Sequence, residues 1–134
     1  GAGAISVGMA RGAFEIALEY ARQRTQGGMP LSEQPVVSSM LADMATDIDA
    51  ARLLVWRATW YNATHRPPGL RYASMAKVFA SDMAMRVISH AIQIMGSYGY
   101  MKEYGVEKFF RDAKIVQIYL GANEISRLSV GSAL

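Results

Sequence analysis

The sequence of 134 residues contains no cysteine, only two histidines and four prolines, and no long apolar run that is free of charge. Without cysteine the chain has neither a disulfide framework nor thiolate ligands for a metal. His65 and His90 lie far apart in the sequence without matching carboxylates nearby, so we expect no metal site. A membrane-spanning helix needs about 18 or more consecutive apolar residues, so we expect no membrane span.

Blocks of like charge are missing as well. The 14 basic and 11 acidic residues are interspersed and give a net charge of +3, which is too weak and too scattered to indicate nucleic-acid binding. The sequence also lacks a phosphate-cradling glycine loop that ends in lysine, and it lacks a serine in a nucleophile elbow. The usual catalytic signatures are therefore absent.

Apolar residues make up 51% of the sequence, whereas charged residues make up 19%. This balance predicts a globular domain, and a chain of this length fits one domain of the common size of roughly 100–150 residues. The sequence begins without methionine and leads into a helical pattern without a secretory signal. We therefore expect a single domain, residues 1–134, taken from a longer chain, and a cysteine-free chain is compatible with the bacterial cytoplasm or the mitochondrial matrix.

Apolar residues recur at three- and four-residue steps along most of the chain, as amphipathic helices require. Glycine and proline interrupt this pattern at Gly27-Gly28, at Pro67-Pro68 and in the turn MGSYGY that starts at Met95. No segment has a strand-like alternation. The sequence predicts an all-α fold, an antiparallel four-helix bundle with a short extra C-terminal helix. The expected helices end near Arg24, run from Ser32 or Glu33 to Asn62, from Leu70 to Gly96 and from Tyr104 to Ile115, and start again at Ala122 or Asn123.

Four stretches in a fixed order carry a family likeness. They are LADMATDIDAARLL from Leu41, YASMAKVFASDMA from Tyr72, AIQIMGSYGYMKEYGVEKFFRDAKIVQIY from Ala91, and LGANEISR from Leu120. Together they resemble the C-terminal helical domain of the acyl-CoA dehydrogenase flavoproteins. The likeness covers nearly the whole chain, and the ordered set of motifs is specific.

The resemblance implies the third domain of a three-domain protein that binds FAD between domains and forms a dimer or tetramer. Family members oxidise the Cα–Cβ bond of an acyl-CoA thioester: a base removes the α-proton, the flavin accepts the β-hydride, and electrons usually leave through an electron-transferring flavoprotein. A positioned base and hydrogen bonds to the developing enolate oxygen suit a weakly acidic α-proton. The implied cofactor is FAD and the implied substrate is an acyl-CoA.

The resemblance also assigns cofactor contacts residue by residue. Arg24 matches an arginine that binds an FAD phosphate from a neighbouring subunit, a task that suits a guanidinium. Gly27 stands where an aromatic residue is usual in that element. Gln93, Gly96 and Gly99 match a second cofactor element, in which glycines allow close approach of the backbone; we expect Gln93 to be buried on an apolar helix face. Two further positions that the family directs at the cofactor are Ala122, in place of threonine, and Glu124.

Leu120 stands where most family members carry the glutamate that takes the α-proton. Leucine cannot accept a proton, so the chain offers no catalytic residue at this position, and Glu124 is only a weak candidate. The resemblance still implies that the substrate lies against Tyr119, Leu120 and Gly121. Lys77 and Asp43, in contrast, are interpreted as polar positions of the bundle or of an interface.

Three interpretations of Leu120 remain open. The base can lie on another element, just upstream of Gly1 in some family members. The fold can serve a flavin monooxygenase, an oxidase or a reductase, where an apolar residue facing the flavin excludes water. The domain can also be a catalytically silent oligomerisation module that buries Trp56 and Trp60 against other subunits. In every case we expect residues 1–134 alone to be inactive.

Overall fold

The computed structural model describes all 134 residues. Its helices and strands are α1 (Ala2–Gln23), β1 (Thr25–Gln26), β2 (Met29–Pro30), α2 (Pro35–Thr64), α3 (Leu70–Met95), α4 (Ser97–Tyr100), α5 (Val106–Ile118) and α6 (Asn123–Gly131). Single 3-10 turns precede α2, at Leu31–Glu33, and α5, at Lys102–Tyr104. The four long helices and the short C-terminal helix confirm the predicted bundle.

Helix α3 is the centre of the bundle and packs against α1, α2, α5 and α6. Helix α1 runs beside it in the same direction, and the two backbones come close because small residues line the contact. A Cβ at Gly3 would lie 3.3 Å from the carbonyl oxygen of Ala76 and 3.0 Å from Cγ2 of Val55. The fully buried small residues of α1 recur at helical steps, Ser6, Ala10, Ala13, Ala17 and Ala21, and the four alanines belong to the predicted amphipathic pattern.

Helix α2 begins at Pro35, whose missing N–H costs nothing in the first turn. Its buried residues lie on one stripe, Leu41, Met44, Ile48, Ala51 and Ala58. Trp56 and Trp60 do not extend this stripe inside the bundle, since their side chains are 62% and 61% exposed. The tryptophans therefore face outward, as an outer contact surface would require.

Two local elements were not expected from the sequence. Residues 25–30 form a two-stranded antiparallel hairpin, in which Thr25 pairs with Pro30 and Gln26 with Met29. Gly27 and Gly28 both have positive φ and close the turn. The predicted turn after α3 contains a single helical turn, α4, between Gly96 and Met101.

The antiparallel connections give the bundle two distinct ends. The Leu120 end is formed by the start of α1, the end of α2, the start of α3 and the junction of α5 with α6. The Arg24 end is formed by the end of α1, the end of α3 and the turn before α5, where the rings of Tyr20 and Tyr98 have centroids 6.2 Å apart. The 22 residues of α1 separate the two ends by about 33 Å at roughly 1.5 Å per residue. No helix of the chain combines the length and apolar character needed to cross a membrane.

Candidate functional site

The segment Tyr119–Ala122 connects α5 to α6 and has an unusual backbone. Leu120 has φ +54° and is the only residue other than glycine with positive φ, and Gly121 follows with φ +85°. A left-handed conformation costs an L-residue roughly 1–2 kcal/mol, and glycine avoids this cost. The leucine is nevertheless placed there, and its side chain is 73% exposed. Strain of this kind in a folded protein is often retained at sites that contact a ligand.

Leu120 forms part of the wall of a cleft of about 290 Å³ at the Leu120 end. This volume lies near the lower end of ligand pockets, roughly 300–1,000 Å³. Most of the lining is apolar or small, which gives space to an apolar group, and a few polar groups converge on it. The polar members are Thr59, Asn62, Ser74, Lys77 and Ser126.

Lys77 lies beneath the segment and is 8% exposed. Its ammonium donates a hydrogen bond of 2.7 Å to the carbonyl oxygen of Gly121 and another of 2.6 Å to Oδ1 of Asn123. Burial lowers the pKa of Lys77 below its ordinary value, although the carboxylates of Glu124 and Asp82 oppose this effect. Lys77 thus links α3 to the loop that carries Leu120.

Asn123, the first residue of α6, is 2% exposed and all its polar atoms are bonded. Its Nδ2 donates to Oδ1 of Asp82 at 2.8 Å, and its side chain also exchanges a hydrogen bond with the hydroxyl of Ser81. Asp82 in addition accepts from Nε2 of Gln117 at 2.7 Å and pairs with Arg127. A connected polar network therefore fixes the junction of α5 and α6 on α3.

The remaining residues predicted at this end do not all face the cleft. Gly121 presents its carbonyl to Lys77, and Tyr119 is half-buried outside the cleft lining. Ala122 and Glu124 line a different cavity, together with Asp82, Gln117 and Arg127. Glu124 is thus separated from the space beside Leu120, which weakens it further as a base.

Arg24 and Gln93 lie at the opposite end of the bundle. Arg24 follows the last residue of α1, and its exposed side chain has no ion pair or hydrogen bond within the chain. Gln93 is also exposed and without a side-chain partner, so the expectation that it is buried was wrong. It lies on the face of α3 opposite the buried stripe that contains Ile88, Ala91 and Met95.

The two glycines of the second cofactor element differ in their surroundings. Gly96 ends α3 with φ +61° and is exposed, and a Cβ added at this position would meet no other atom within 4 Å. Gly99 is buried, and a Cβ there would lie 2.7 Å from the carbonyl oxygen of Ile92. Internal packing of α4 on α3 therefore accounts for glycine at position 99, while Gly96 leaves backbone open to an external group.

The donor chemistry of the Arg24 end fits one part of FAD. A free guanidinium, a free carboxamide and an open glycine backbone suit a phosphate-bearing and polar ligand that approaches from outside the chain. No group of three or more histidine, aspartate or glutamate side chains could hold a metal ion. The Leu120 end, by contrast, suits an apolar group and contains no acceptor for a carbon-bound proton beside Leu120.

Sequence reasoning missed the polar network beneath the segment. Ser81 and Asp82 follow Lys77 by about one helical turn on α3, and Lys77 and Ser81 fall within its buried face. A polar group on such a face requires a partner, which is a usable sequence signal. The partner itself lies more than 40 residues further along the chain and could not be identified from spacing.

Known proteins share this architecture. A family model described as the acyl-CoA dehydrogenase C-terminal domain matches residues 1–134. The chain is 46% identical over 129 residues to cyclohex-1-ene-1-carbonyl-CoA dehydrogenase of Syntrophus aciditrophicus (strain SB), which covers 96% of the chain and 31% of that protein. It is 48% identical over 134 residues to an acyl-CoA dehydrogenase of Bacillus subtilis (strain 168), which covers 100% of the chain and 35% of that protein.

The solved structure of butyryl-CoA dehydrogenase from Megasphaera elsdenii superimposes with a TM-score of 0.94 at 45% identity, over 98% of this chain and 34% of that one. The chain thus spans about a third of the length of these relatives. The family model covers the chain from the first residue to the last, and the structural match covers 98% of it. Residues 1–134 therefore belong to the acyl-CoA dehydrogenase family, in its C-terminal helical domain.

Proposed function

We propose that residues 1–134 are the C-terminal domain of a longer FAD-dependent dehydrogenase that oxidises the Cα–Cβ bond of an acyl-CoA thioester. The observation that carries the proposal is the cleft beside Leu120. Leu120, in the family's substrate-facing segment, forms part of its wall and has a strained backbone conformation, next to a carbonyl that accepts a hydrogen bond from a buried lysine. The relatives named for butyryl-CoA and cyclohex-1-ene-1-carbonyl-CoA support an acyl-CoA as the substrate class.

In this proposal the cleft receives the acyl group and Leu120 lies against it. The exposed leucine excludes water from the reacting carbons and takes no part in proton transfer. The base is therefore a carboxylate outside residues 1–134. Bound FAD supplies the acceptor for the β-hydride.

Arg24, Gln93 and Gly96 contact the cofactor at the end of the bundle opposite to Leu120, which lies against the substrate. A distance of about 33 Å along α1 separates the two ends, so we infer that the Arg24 end contacts FAD bound by a neighbouring subunit. A homodimer or homotetramer follows from this arrangement, and Trp56 and Trp60 offer an exposed apolar surface for it. Electron-transferring flavoprotein is the proposed electron acceptor, and the bacterial cytoplasm or mitochondrial matrix the proposed compartment.

The direct experiment is an anaerobic titration of the full-length flavoprotein that carries this chain. Flavin absorbance is followed on adding butyryl-CoA and, separately, cyclohex-1-ene-1-carbonyl-CoA. We expect the oxidised flavin band to bleach with at least one of them, because a base outside the chain completes the site. Bound FAD that does not bleach with any acyl-CoA tested would contradict a working dehydrogenase. The isolated domain, as a companion sample, is expected to purify without stoichiometric FAD.

In a second candidate function, the chain belongs to a related flavoprotein that is not a dehydrogenase. Such a protein is an oxidase, a monooxygenase or a reductase, or its C-terminal domain is a catalytically silent oligomerisation module. The apolar Leu120 at the base position favours it. The variant Leu120→Glu separates the two. If only the variant bleaches with an acyl-CoA, the site is intact and its natural form lacks a base. Oxygen consumption by the unmodified protein would indicate an oxidase or monooxygenase instead.

A further inference from the structure

Lys77 is an unusual choice of residue for its position. Its neighbours in the hydrogen-bond network at Gly121 and Asn123 are neutral oxygens, and no carboxylate contacts its ammonium directly. Burying a charged group without an ion pair is costly unless its hydrogen bonds are satisfied with good geometry. A neutral side chain of similar length, such as methionine, would pack there without that cost. The lysine therefore does more than fill space in the bundle.

Lys77 forms a tertiary hydrogen bond to the backbone of the segment Tyr119–Ala122. No other side chain forms a hydrogen bond to the backbone of these four residues. The remaining backbone bonds at the junction are local: the N–H of Tyr119 donates to Ile115 and that of Ser126 to Ala122. Neither of them fixes the carbonyl of Gly121, which follows the left-handed Leu120.

Asn123 holds the other side of the lysine. Its Oδ1 accepts from Nζ of Lys77, while its Nδ2 donates to Asp82 on α3. The ammonium is thus fixed between the loop carbonyl and a carboxamide that is itself anchored. Since Leu120 disfavours positive φ, an external restraint of this kind explains how the loop keeps its conformation.

We propose that Lys77 is the positioning residue of the segment Tyr119–Ala122, which it holds so that Leu120 forms its part of the wall of the cleft. This role adds to the proposed function an explanation of how the loop beside the substrate is positioned. It rests on the proposed function in one respect, namely that the cleft receives the acyl group. The conformation of the loop, in this proposal, is set from α3 and does not depend on which side chain stands at position 120. The same backbone can therefore present a leucine or a carboxylate to the cleft.

The first experiment measures amide hydrogen exchange in the full-length flavoprotein without any acyl-CoA. The variant Lys77→Met keeps the length and apolar stem of the side chain and removes its donors. We expect exchange to rise in peptides that cover residues 119–123 and to stay unchanged in peptides of α1. The matched control is Lys108→Met on α5, which removes an exposed lysine paired with Asp112; it should leave residues 119–123 unchanged.

A second variant protects the test against misfolding of Lys77→Met. Asn123→Ala removes the other half of the restraint with a residue that suits the start of a helix, and we expect the same local rise in exchange. If Lys77→Met does not fold, the exchange measured in Asn123→Ala is the test of the proposal. Unchanged exchange over residues 119–122 in every variant that folds would overturn the proposal, whether or not the protein is a dehydrogenase.

The last arm separates positioning from a merely structural role. The dissociation constant of butyryl-CoA is measured from the flavin difference spectrum in Lys77→Met and Lys108→Met. The two samples have equal FAD content, and they are compared when their thermal midpoints are equal. Misplacement of a contact wall by a fraction of an ångström should weaken binding roughly tenfold in Lys77→Met alone. Equal constants in both variants would contradict a positioning role at the substrate. If the unmodified protein binds no acyl-CoA at all, the proposed function fails while the exchange result still stands.

Discussion

The two ends of the bundle treat their polar groups in opposite ways. At the Leu120 end, Lys77 is hydrogen-bonded to the Gly121 carbonyl and to Asn123, Asn123 is hydrogen-bonded to Asp82, and the apolar side chain of Leu120 is exposed. At the Arg24 end, Arg24 and Gln93 are exposed polar side chains that have no partner within the chain.

This difference indicates two kinds of site. A network that satisfies its own hydrogen bonds leaves little capacity for a polar ligand, and instead fixes the shape of an apolar wall. Polar side chains without partners retain their full capacity to bind a ligand from outside. The Leu120 end is thus organised for shape and the Arg24 end for hydrogen bonding and charge.

The largest expected effect is at the Arg24 end and concerns packing. Gly99→Ala places a Cβ against the backbone of Ile92, at 2.7 Å from its carbonyl oxygen, and overpacking of this kind costs roughly 1–3 kcal/mol. The thermal midpoint should fall clearly. Gly8→Ala on α1, where the space around the glycine is open, is the control and should be neutral or slightly stabilising. A midpoint of Gly99→Ala equal to that of the control would refute this packing.

The next effect tests whether the positive charge of Arg24 contributes to FAD binding. Arg24→Gln should weaken FAD retention roughly 10- to 100-fold, since hydrogen bonds to charged groups contribute about 1.5–3 kcal/mol. Stability of the apoprotein should not change, because Arg24 has no partner in the chain. Arg22→Gln, two residues earlier and also exposed, is the matched control. Equal FAD dissociation constants in the two variants would remove Arg24 from the cofactor site.

A smaller effect of the opposite sign is expected at the Leu120 end. Leu120→Gly relieves the left-handed strain of roughly 1–2 kcal/mol and loses about 0.5–1 kcal/mol to the greater freedom of glycine in the unfolded chain. The unfolding midpoint should therefore rise slightly. Leu128→Gly, at an exposed leucine inside α6, should lower it. If both variants lower the midpoint equally, Leu120 is not strained.

The smallest effect is a pH dependence of stability at Lys77. Burial lowers its pKa in the folded protein below 10.5, so between the folded pKa and 10.5 the unfolded chain binds more protons than the folded one. Stability contributed by this group consequently rises with pH across that window. Lys77→Met should flatten the rise in the urea midpoint, whereas Lys108→Met should leave it. Parallel curves for the two variants would mean that Lys77 does not titrate in this way.

The helices and their breaks were predictable from the sequence because they depend on local periodicity. Pro35, Leu70 and Asn123 start helices where the pattern indicated, within the usual error of boundaries. The hairpin at Gly27-Gly28 was missed, since strands of two residues have no period to detect.

Burial was less predictable than helicity. Gln93 lies five residues from the buried position Ile88, and at 100° per residue such a step leads away from the buried stripe. A stricter count of helical phase would have predicted that Gln93 is exposed. The contact of Lys77 with Gly121, however, joins elements 44 residues apart, and only tertiary packing determines it.

The central claim is that the Leu120 end meets the substrate of its own subunit and the Arg24 end meets the cofactor of a neighbouring one. A structure of the full-length protein with FAD and butyryl-CoA tests this claim most directly. The account predicts the acyl chain in contact with Leu120, and the guanidinium of Arg24 hydrogen-bonded to FAD that is bound by another copy. An acyl group far from Leu120, or Arg24 and Leu120 contacting one FAD molecule within the same subunit, would contradict it.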